Sequence, residues 1–136
     1  MGTKPLQDRV AIVTGSSRGI GEATARLLAA RGAWVALAAR TEHELEKIAG
    51  EINSTGGTAL AAPTDVTDPP SVERMVRRVL STWGRIDILV NNAGMGTPMM
   101  PIEEVDIQAW DETIALNLKA AFLCVRAVAP HMKARR

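Results

Sequence analysis

The feature that most constrains this chain is an alternation of short apolar runs with longer segments of helical periodicity. Each run is apolar on both faces of an extended strand, and each is followed by apolar residues spaced three or four apart. Strands buried on both faces and joined by helices form a parallel sheet with helices on each side. We therefore predict an α/β fold with strands at 10–14, 34–39, 58–62 and 86–90, and helices at 20–30, 41–52, 68–83 and from 107 onward.

Local signals support these helices. Thr41 and Glu44 have the spacing of a capping box, and Asp68 before Pro69 is typical of a helix start. In the first helix we expect Ala23, Leu27 and Leu28 to face inward. The last helix carries a long apolar stripe, formed by Ile107, Trp110, Ile114, Leu118, Ala121, Val125, Val128 and Met132.

Size and charge exclude several classes of protein. The 136 residues suffice for one domain, so we treat 1–136 as a single domain. A net charge of +1 argues against a nucleic-acid or membrane partner. One cysteine, Cys124, and two distant histidines predict neither a disulfide nor a metal site. We find no secretory signal and no uninterrupted membrane span, so the expected location is the cytoplasm.

A glycine-rich loop joins the first strand to the first helix. The segment 14–21 reads Thr-Gly-Ser-Ser-Arg-Gly-Ile-Gly, with glycines at 15, 19 and 21. Glycines let the backbone approach a pyrophosphate, and the free N–H groups and dipole at the helix start favour its negative charge. Three glycines alone are a weak signal, and they also serve tight turning and close packing. Their place at a strand–helix junction favours dinucleotide binding.

Four motifs in order make the chain resemble the short-chain dehydrogenase/reductase family over essentially its whole length. The loop 14–21 resembles the TGxxxGxG cofactor loop, and Asn91-Asn92-Ala93-Gly94 resembles the NNAG motif. Asp65-Val66 matches the aspartate that contacts adenine, and the stretch 110–118 leads to the family's active-site asparagine, here Asn117. The resemblance implies a Rossmann-like, doubly wound sheet, truncated to the strand order 3-2-1-4.

The resemblance also implies roles for single residues. Gly15, Gly19 and Gly21 would line the pyrophosphate, with Ser17 near a phosphate or ribose and Ile20 near the nicotinamide. Asp65 and the Val66 backbone would contact adenine. Asn91 would hold the fourth strand against its neighbours and flank the ribose, with Ala93 and Gly94 close behind, and Asn117 would bend its helix and hold a relay water.

For two of these residues the sequence leaves a second interpretation open. Asp65 also suits a turn in which its side chain accepts a local hydrogen bond. Asn117 also suits an asparagine that hydrogen-bonds to its own helix. Asn91 is structural in either reading.

Charge at the end of the second strand indicates the type of dinucleotide. A ribose 2′-hydroxyl is met by a carboxylate at that position, and a 2′-phosphate by arginine. The second strand ends in Ala38-Ala39-Arg40, and Arg18 lies within the glycine loop. Two guanidiniums can fork around one phosphate, so we expect NADP(H) rather than NAD(H). The competing interpretation is that both arginines are solvated surface residues.

The family's catalytic residues are missing. The chain contains no tyrosine, so it has no Tyr-x-x-x-Lys motif, and the family's catalytic serine follows a fifth strand. We therefore expect the cofactor-binding N-terminal half of an oxidoreductase, possessing no activity by itself, with a 3-oxoacyl reductase as the first candidate parent. The sequence leaves open whether the chain is an engineered truncation, a proteolytic remnant or a naturally short protein.

An unfinished sheet also suggests a second class of function, a non-catalytic interaction protein. The fourth strand would be an open edge, and the last helix would expose its apolar stripe. We expect a homo-oligomer that forms through that helix or that edge. Methionines 95, 99 and 100 either border a substrate pocket or pack on the core. Cys124 and the three tryptophans are expected to be packing residues.

Overall fold

The four strands are β1 Val10–Thr14, β2 Trp34–Ala39, β3 Thr58–Pro63 and β4 Ile88–Val90. They form one parallel sheet in the order β3-β2-β1-β4. The computed structural model describes residues 2–136. β1 pairs with β2 starting at Val10 opposite Trp34, and β2 pairs with β3 starting at Trp34 opposite Thr58. The predicted strand order and Rossmann-like α/β class are confirmed.

Helices follow each strand at nearly the predicted positions. They are α1 Gly19–Ala30, α2 Glu42–Ser54, α3 Pro69–Trp83, α4 Ile107–Ile114 and α5 Ala120–Arg135. The Asp68 carboxylate caps α3 by accepting from Ser71 N–H, and Gly84 ends α3 in the left-handed conformation. Thr41 precedes α2 as predicted, but its side chain makes no capping bond, so the predicted capping box is not formed.

Two apolar cores cover the two faces of the sheet. One lies between the sheet and α3 with α5, and the other between the sheet and α1 with α2. On α1 the buried residues are Gly21, Ala25 and Ala29, so the prediction that Ala23 and Leu27 face inward is wrong. Small residues set this phase, because they let the helix axis approach the sheet closely.

The last helical stretch is not one regular helix. A π-helical segment, Ala115–Lys119, separates α4 from α5, and a short 3₁₀ turn at Ile102–Glu104 precedes α4. A π turn holds an extra residue and rotates the faces that follow it. On α5 the buried residues are Ala120, Leu123, Cys124 and Val128. Cys124 is thus a core residue, as predicted.

Most of the predicted apolar stripe faces outward. We call the exposed apolar residues of this stretch the outer helix face: Ile107, Trp110, Ile114, Leu118, Phe122 and Val125. Trp110 is 55% exposed, so the prediction that it is a packing anchor is wrong, whereas Trp34 and Trp83 pack with ring centroids 6.1 Å apart. By length and composition the run 107–135 is able to cross a membrane, a property that core helices share. The prediction of no membrane partner stays a prediction.

Candidate cofactor site

All four strands are parallel, but the side on which successive strands are added to the sheet changes between β1 and β4. The first three strands run outward from β1 on one side, and β4 pairs with β1 on the other. In open parallel sheets, ligands bind in the crevice outside the carboxyl ends of the strands at such a switch point. The loop after β1, the end of β2, the turn after β3 and the loop after β4 all meet there.

Asn92 and Thr14 join the ends of β1 and β4. The Asn92 Nδ2 group donates to the carbonyls of Thr14 and Gly15, at 3.2 and 3.1 Å. The Thr14 hydroxyl accepts from the N–H groups of Asn92 and Ala93, both at 3.0 Å. The strand-holding role that the resemblance implied for Asn91 is thus performed by its neighbour Asn92. Sequence reasoning missed this residue, because two adjacent asparagines in one motif do not reveal which one points toward β1.

The three glycines of the loop serve two different purposes. A Cβ on Gly15 would lie 2.9 Å from Ala93 Cα, and a Cβ on Gly21 would strike the Gly15 carbonyl. These two glycines therefore allow the close packing of the loop, α1 and the end of β4. Gly19 differs in its surroundings, because a Cβ there would meet nothing within 4 Å, although its φ of 58° is left-handed like the 63° of Gly15. Gly19 leaves open space above the start of α1.

The amino terminus of α1 has free hydrogen-bond donors. The first N–H groups of a helix lack intrahelical acceptors, and the Arg18 side chain does not cap them. Ser17 is half-buried beside them, and Ile20 is 79% exposed. Open space over Gly19 and uncapped donors fit a phosphate group. Within residues 2–136 no cluster of three potential metal ligands occurs.

The corner between the glycine loop and β2 brings the two predicted arginines to the same end of the sheet. Ser16 N–H donates to the Ala38 carbonyl at 3.4 Å, so Arg18 and Arg40 each lie two residues beyond this link. Both arginines are exposed, and neither forms an ion pair with the residues that the structure describes. The Ser16 hydroxyl is buried there without a described partner, which fits a group completed by a ligand.

Asp65 has the turn geometry that its second reading predicted. Its Oδ1 accepts from the Thr67 hydroxyl at 2.6 Å and from the Thr67 N–H at 3.0 Å. These two hydrogen bonds, with a further contribution from the positive charge of Arg40, hold the pKa of Asp65 below its usual value of 3.8. An ionised, exposed carboxylate near Arg40 suits the adenine contact as well, so both readings stand. Val66 beside it is buried.

A small cavity lies between β1 and the last helices. Its volume of about 20 Å³ is enough for one water molecule. Burial raises the pKa of the Cys124 thiol to about 11, so this group stays protonated at neutral pH. The residues that line the cavity are Thr14, Val66, Asn91, Ala93, Asn117, Ala120, Ala121 and Cys124. The predicted residues Val66, Asn91, Ala93 and Asn117 therefore share one cavity.

Asn117 holds the loop that follows β4. Its Oδ1 accepts from Met95 N–H at 2.8 Å, and its Nδ2 donates to the Met95 carbonyl at 2.9 Å. A Cβ on Gly94 would lie 3.0 Å from this Oδ1, so the glycine allows the close approach. The side-chain amide thus bonds the loop instead of its own helix, which contradicts the local reading of Asn117. A water-holding role for Asn117 stays a prediction.

Comparisons with known proteins agree with this geometry. The family model described as short chain dehydrogenase matches residues 9–136. Over 93% of its length the chain is 42% identical to the cis-4-hydroxycyclohexanecarboxylate dehydrogenase of Sinomonas cyclohexanicum, and it covers 51% of that enzyme. It is 38% identical, over 93% of its length, to the 3-oxoacyl-[acyl-carrier-protein] reductase of Synechocystis, and again covers 51% of the relative.

A solved structure gives the same result. The crystal structure of a metagenomic short-chain oxidoreductase in complex with NADP matches with a TM-score of 0.90 and 43% identity. The match covers 96% of this chain and 59% of the other. This chain spans about half the length of the curated relatives it matches. Matched along nearly all of its sequence and fold, the chain belongs to the short-chain dehydrogenase/reductase family.

Proposed function

We propose that this chain is the NADP(H)-binding portion of an oxidoreductase that transfers a hydride between nicotinamide and a carbonyl or alcohol carbon. The observation that carries the proposal is the pair of exposed, unpaired arginines at the corner beside the glycine loop, among the described residues. NADP(H) would supply the hydride chemistry. The chain's own residues bind and orient: Gly19 and the start of α1 would receive the pyrophosphate, and Arg18 and Arg40 the 2′-phosphate.

The two arginines provide the direct test. In Arg18→Ala and Arg40→Ala we expect NADPH affinity to fall, because each loses a charge-assisted contact worth about 1.5–3 kcal/mol. NADH affinity should be unchanged, because NADH lacks the 2′-phosphate. Calorimetry on the two variants measures both ligands, and Arg77→Ala, which removes an exposed arginine from α3, is the matched control. Unchanged NADPH binding in both variants, or tighter NADH binding by the parent chain, would refute the preference.

The 136-residue chain should not catalyse the reaction alone. It contains no tyrosine, and a positioned acid/base contributes about 10²–10⁴-fold to catalysis. We expect no oxidation of NADPH with a ketone or 3-oxoacyl substrate, followed at 340 nm in a preparation free of longer enzyme. Steady turnover in that preparation would contradict this prediction.

The candidate parent activity is reduction of a 3-oxoacyl thioester. It is supported by the similarity to the Synechocystis 3-oxoacyl-[acyl-carrier-protein] reductase. Near-neutral charge supports our proposal that the protein has no nucleic-acid or membrane partner, and a single cysteine, which cannot form an internal disulfide, supports our proposal of a cytoplasmic protein.

The outer helix face favours a second candidate function for the isolated chain, self-association without catalysis. Its six apolar side chains are 38–78% exposed, and contiguous apolar patches of this kind mark interaction sites. We propose a homo-oligomer formed through this face or through the β4 edge. The two candidate functions are compatible, because the glycine loop lies at the ends of the strands and the outer helix face is formed by other residues, on the last helices.

A further inference from the structure

The loop after β4 has a composition that the proposed cofactor site does not use. Three of the six methionines lie within positions 95–100, and no charged residue occurs from Ile88 to Ile102. All three are exposed: Met99 is fully so, Met95 47% and Met100 45%. They therefore do not pack on the core, which removes one of the two readings that the sequence left open.

The start of this loop is held in place although its side chains are exposed. Asn117 holds both the N–H and the carbonyl of Met95, and Ala93 at the loop's start packs against Gly15. The first part of the loop therefore has a defined position at the switch point beside the glycine loop. Apolar side chains that are presented to solvent are unfavourable unless another apolar group covers them.

The position of the loop in the fold indicates which apolar group would cover these methionines. Arg18, Arg40 and Asp65 lie on the β2–β3 side of the switch point, where the adenosine end of a dinucleotide is expected. A dinucleotide crosses the crevice, so its reactive end extends toward β4 and the loop that follows it. The apolar side chains of 95–102 thus stand where a substrate would meet the cofactor.

We propose that the segment 94–102 is an apolar substrate wall that accepts a carbonyl or alcohol whose reacting carbon carries a ring or hydrocarbon chain, and disfavours polyols. This inference rests on the proposed function. Methionine side chains are flexible and polarizable, so they adapt to irregular apolar shapes. A polyol would leave its hydroxyl groups without partners, because Thr97 is the only side-chain donor in the segment.

The six methionines make the test specific. With methionine methyl groups labelled by ¹³C, cyclohexanone is titrated into the chain in the presence of saturating NADP⁺, and erythritol is titrated in parallel. We expect saturable shifts of the Met95, Met99 and Met100 methyl resonances with cyclohexanone and none with erythritol. Met75, which lies on the buried face of α3 and is 2% exposed, is the internal reference and should not move.

Variants test whether the loop itself binds. Met99→Gln should weaken cyclohexanone binding about tenfold, the order expected when an apolar contact is lost. Because the Met99 side chain is fully exposed, we expect its replacement to leave folding intact. Leu27→Gln, at an exposed apolar position on α1, is the matched control and should bind as the parent does.

Three results would overturn the proposal: no methyl response to cyclohexanone, an equal response to erythritol, or loop shifts that follow protein concentration without ligand. The last result would make the loop a protein interface. NADP⁺ binding is measured separately by calorimetry. Its absence removes the proposed function and this proposal together, whereas NADP⁺ binding without a methyl response removes this proposal alone.

Discussion

At the scale of single residues, the Asp87 side chain supplies a hydrogen-bond acceptor that the backbone of a longer β4 would otherwise supply. We predicted β4 from Ile86, but it begins at Ile88. Asp87 Oδ2 accepts from Val10 N–H at 2.9 Å, and Asp87 N–H donates to the Val10 carbonyl at 2.9 Å. The carboxylate thus provides the acceptor that a longer β4 would provide, and Arg85 donates to both of its oxygens. Ile86 is still buried, at 1% exposure, whereas the three residues of β4 are only half-buried.

This carboxylate should make stability depend on pH. Burial alone would raise the pKa of Asp87, but the hydrogen bonds from Arg85 and Val10 outweigh burial and lower it below 3.8. A lowered pKa in the folded state stabilises the protein above pH 3.8, and this contribution is lost as the pH falls from there through the folded pKa. Asp87→Ala should lower the free energy of unfolding at pH 7 by about 1.5–3 kcal/mol, because it leaves Val10 N–H unpaired.

Urea denaturation between pH 7 and pH 2.5 checks this prediction. The loss of stability in acid should be smaller in Asp87→Ala than in the parent chain. Glu46→Ala, which removes an exposed carboxylate from α2, is the control and should preserve the parent's acid profile. Equal acid sensitivity of the parent and Asp87→Ala would show that the carboxylate does not act as described.

At the scale of elements, the π-helical segment positions Asn117 to hold the loop after β4. Asn117→Ala removes two hydrogen bonds to Met95, so we expect hydrogen exchange of the Met95 amide to accelerate at least about tenfold, as for the loss of roughly 1.4 kcal/mol of protection. Asn53 provides a matched control, because its amide bonds the N–H and carbonyl of Ala59 in the same way. Asn53→Ala should expose Ala59 and leave Met95 protected. Unaltered Met95 exchange in Asn117→Ala would contradict the assignment.

At the scale of the whole molecule, the outer helix face should bring two chains together. Its amino-terminal half carries exposed acidic residues and its carboxyl-terminal half exposed basic ones, among them Glu112 and Arg126. An antiparallel pair related by a two-fold axis would bury the apolar face and place each acidic half opposite a basic half. In the antiparallel pair opposite charges face each other at both ends, whereas a parallel pair would align like charges.

Sedimentation equilibrium tests this association. We expect the parent chain to exceed its monomer mass of 14.5 kDa at micromolar concentration. Leu118→Glu should shift the population toward monomer, and Leu27→Glu, at an exposed apolar position on α1, should not. A folded species that stays monomeric up to about 100 μM, where even an interface below 1,200 Å² should be populated, would refute the prediction.

The elements, their order across the sheet and the position of the glycine loop could be predicted from the sequence. These follow from local properties, namely apolar periodicity, helix caps and glycines at a strand–helix junction, and from a family resemblance that spans the chain. Sequence could not decide which neighbouring side chain faces a partner, as with Asn91 and Asn92, or the phase of α1, which depends on the contact of Gly21 with Gly15. Both were resolved by the three-dimensional structure, because the orientation of a side chain or helix depends on contacts between residues that are distant in sequence. The π-helical segment is the clearest case: it contains Asn117, which holds Met95, and it lies between the exposed apolar residues of α4 and the buried residues of α5.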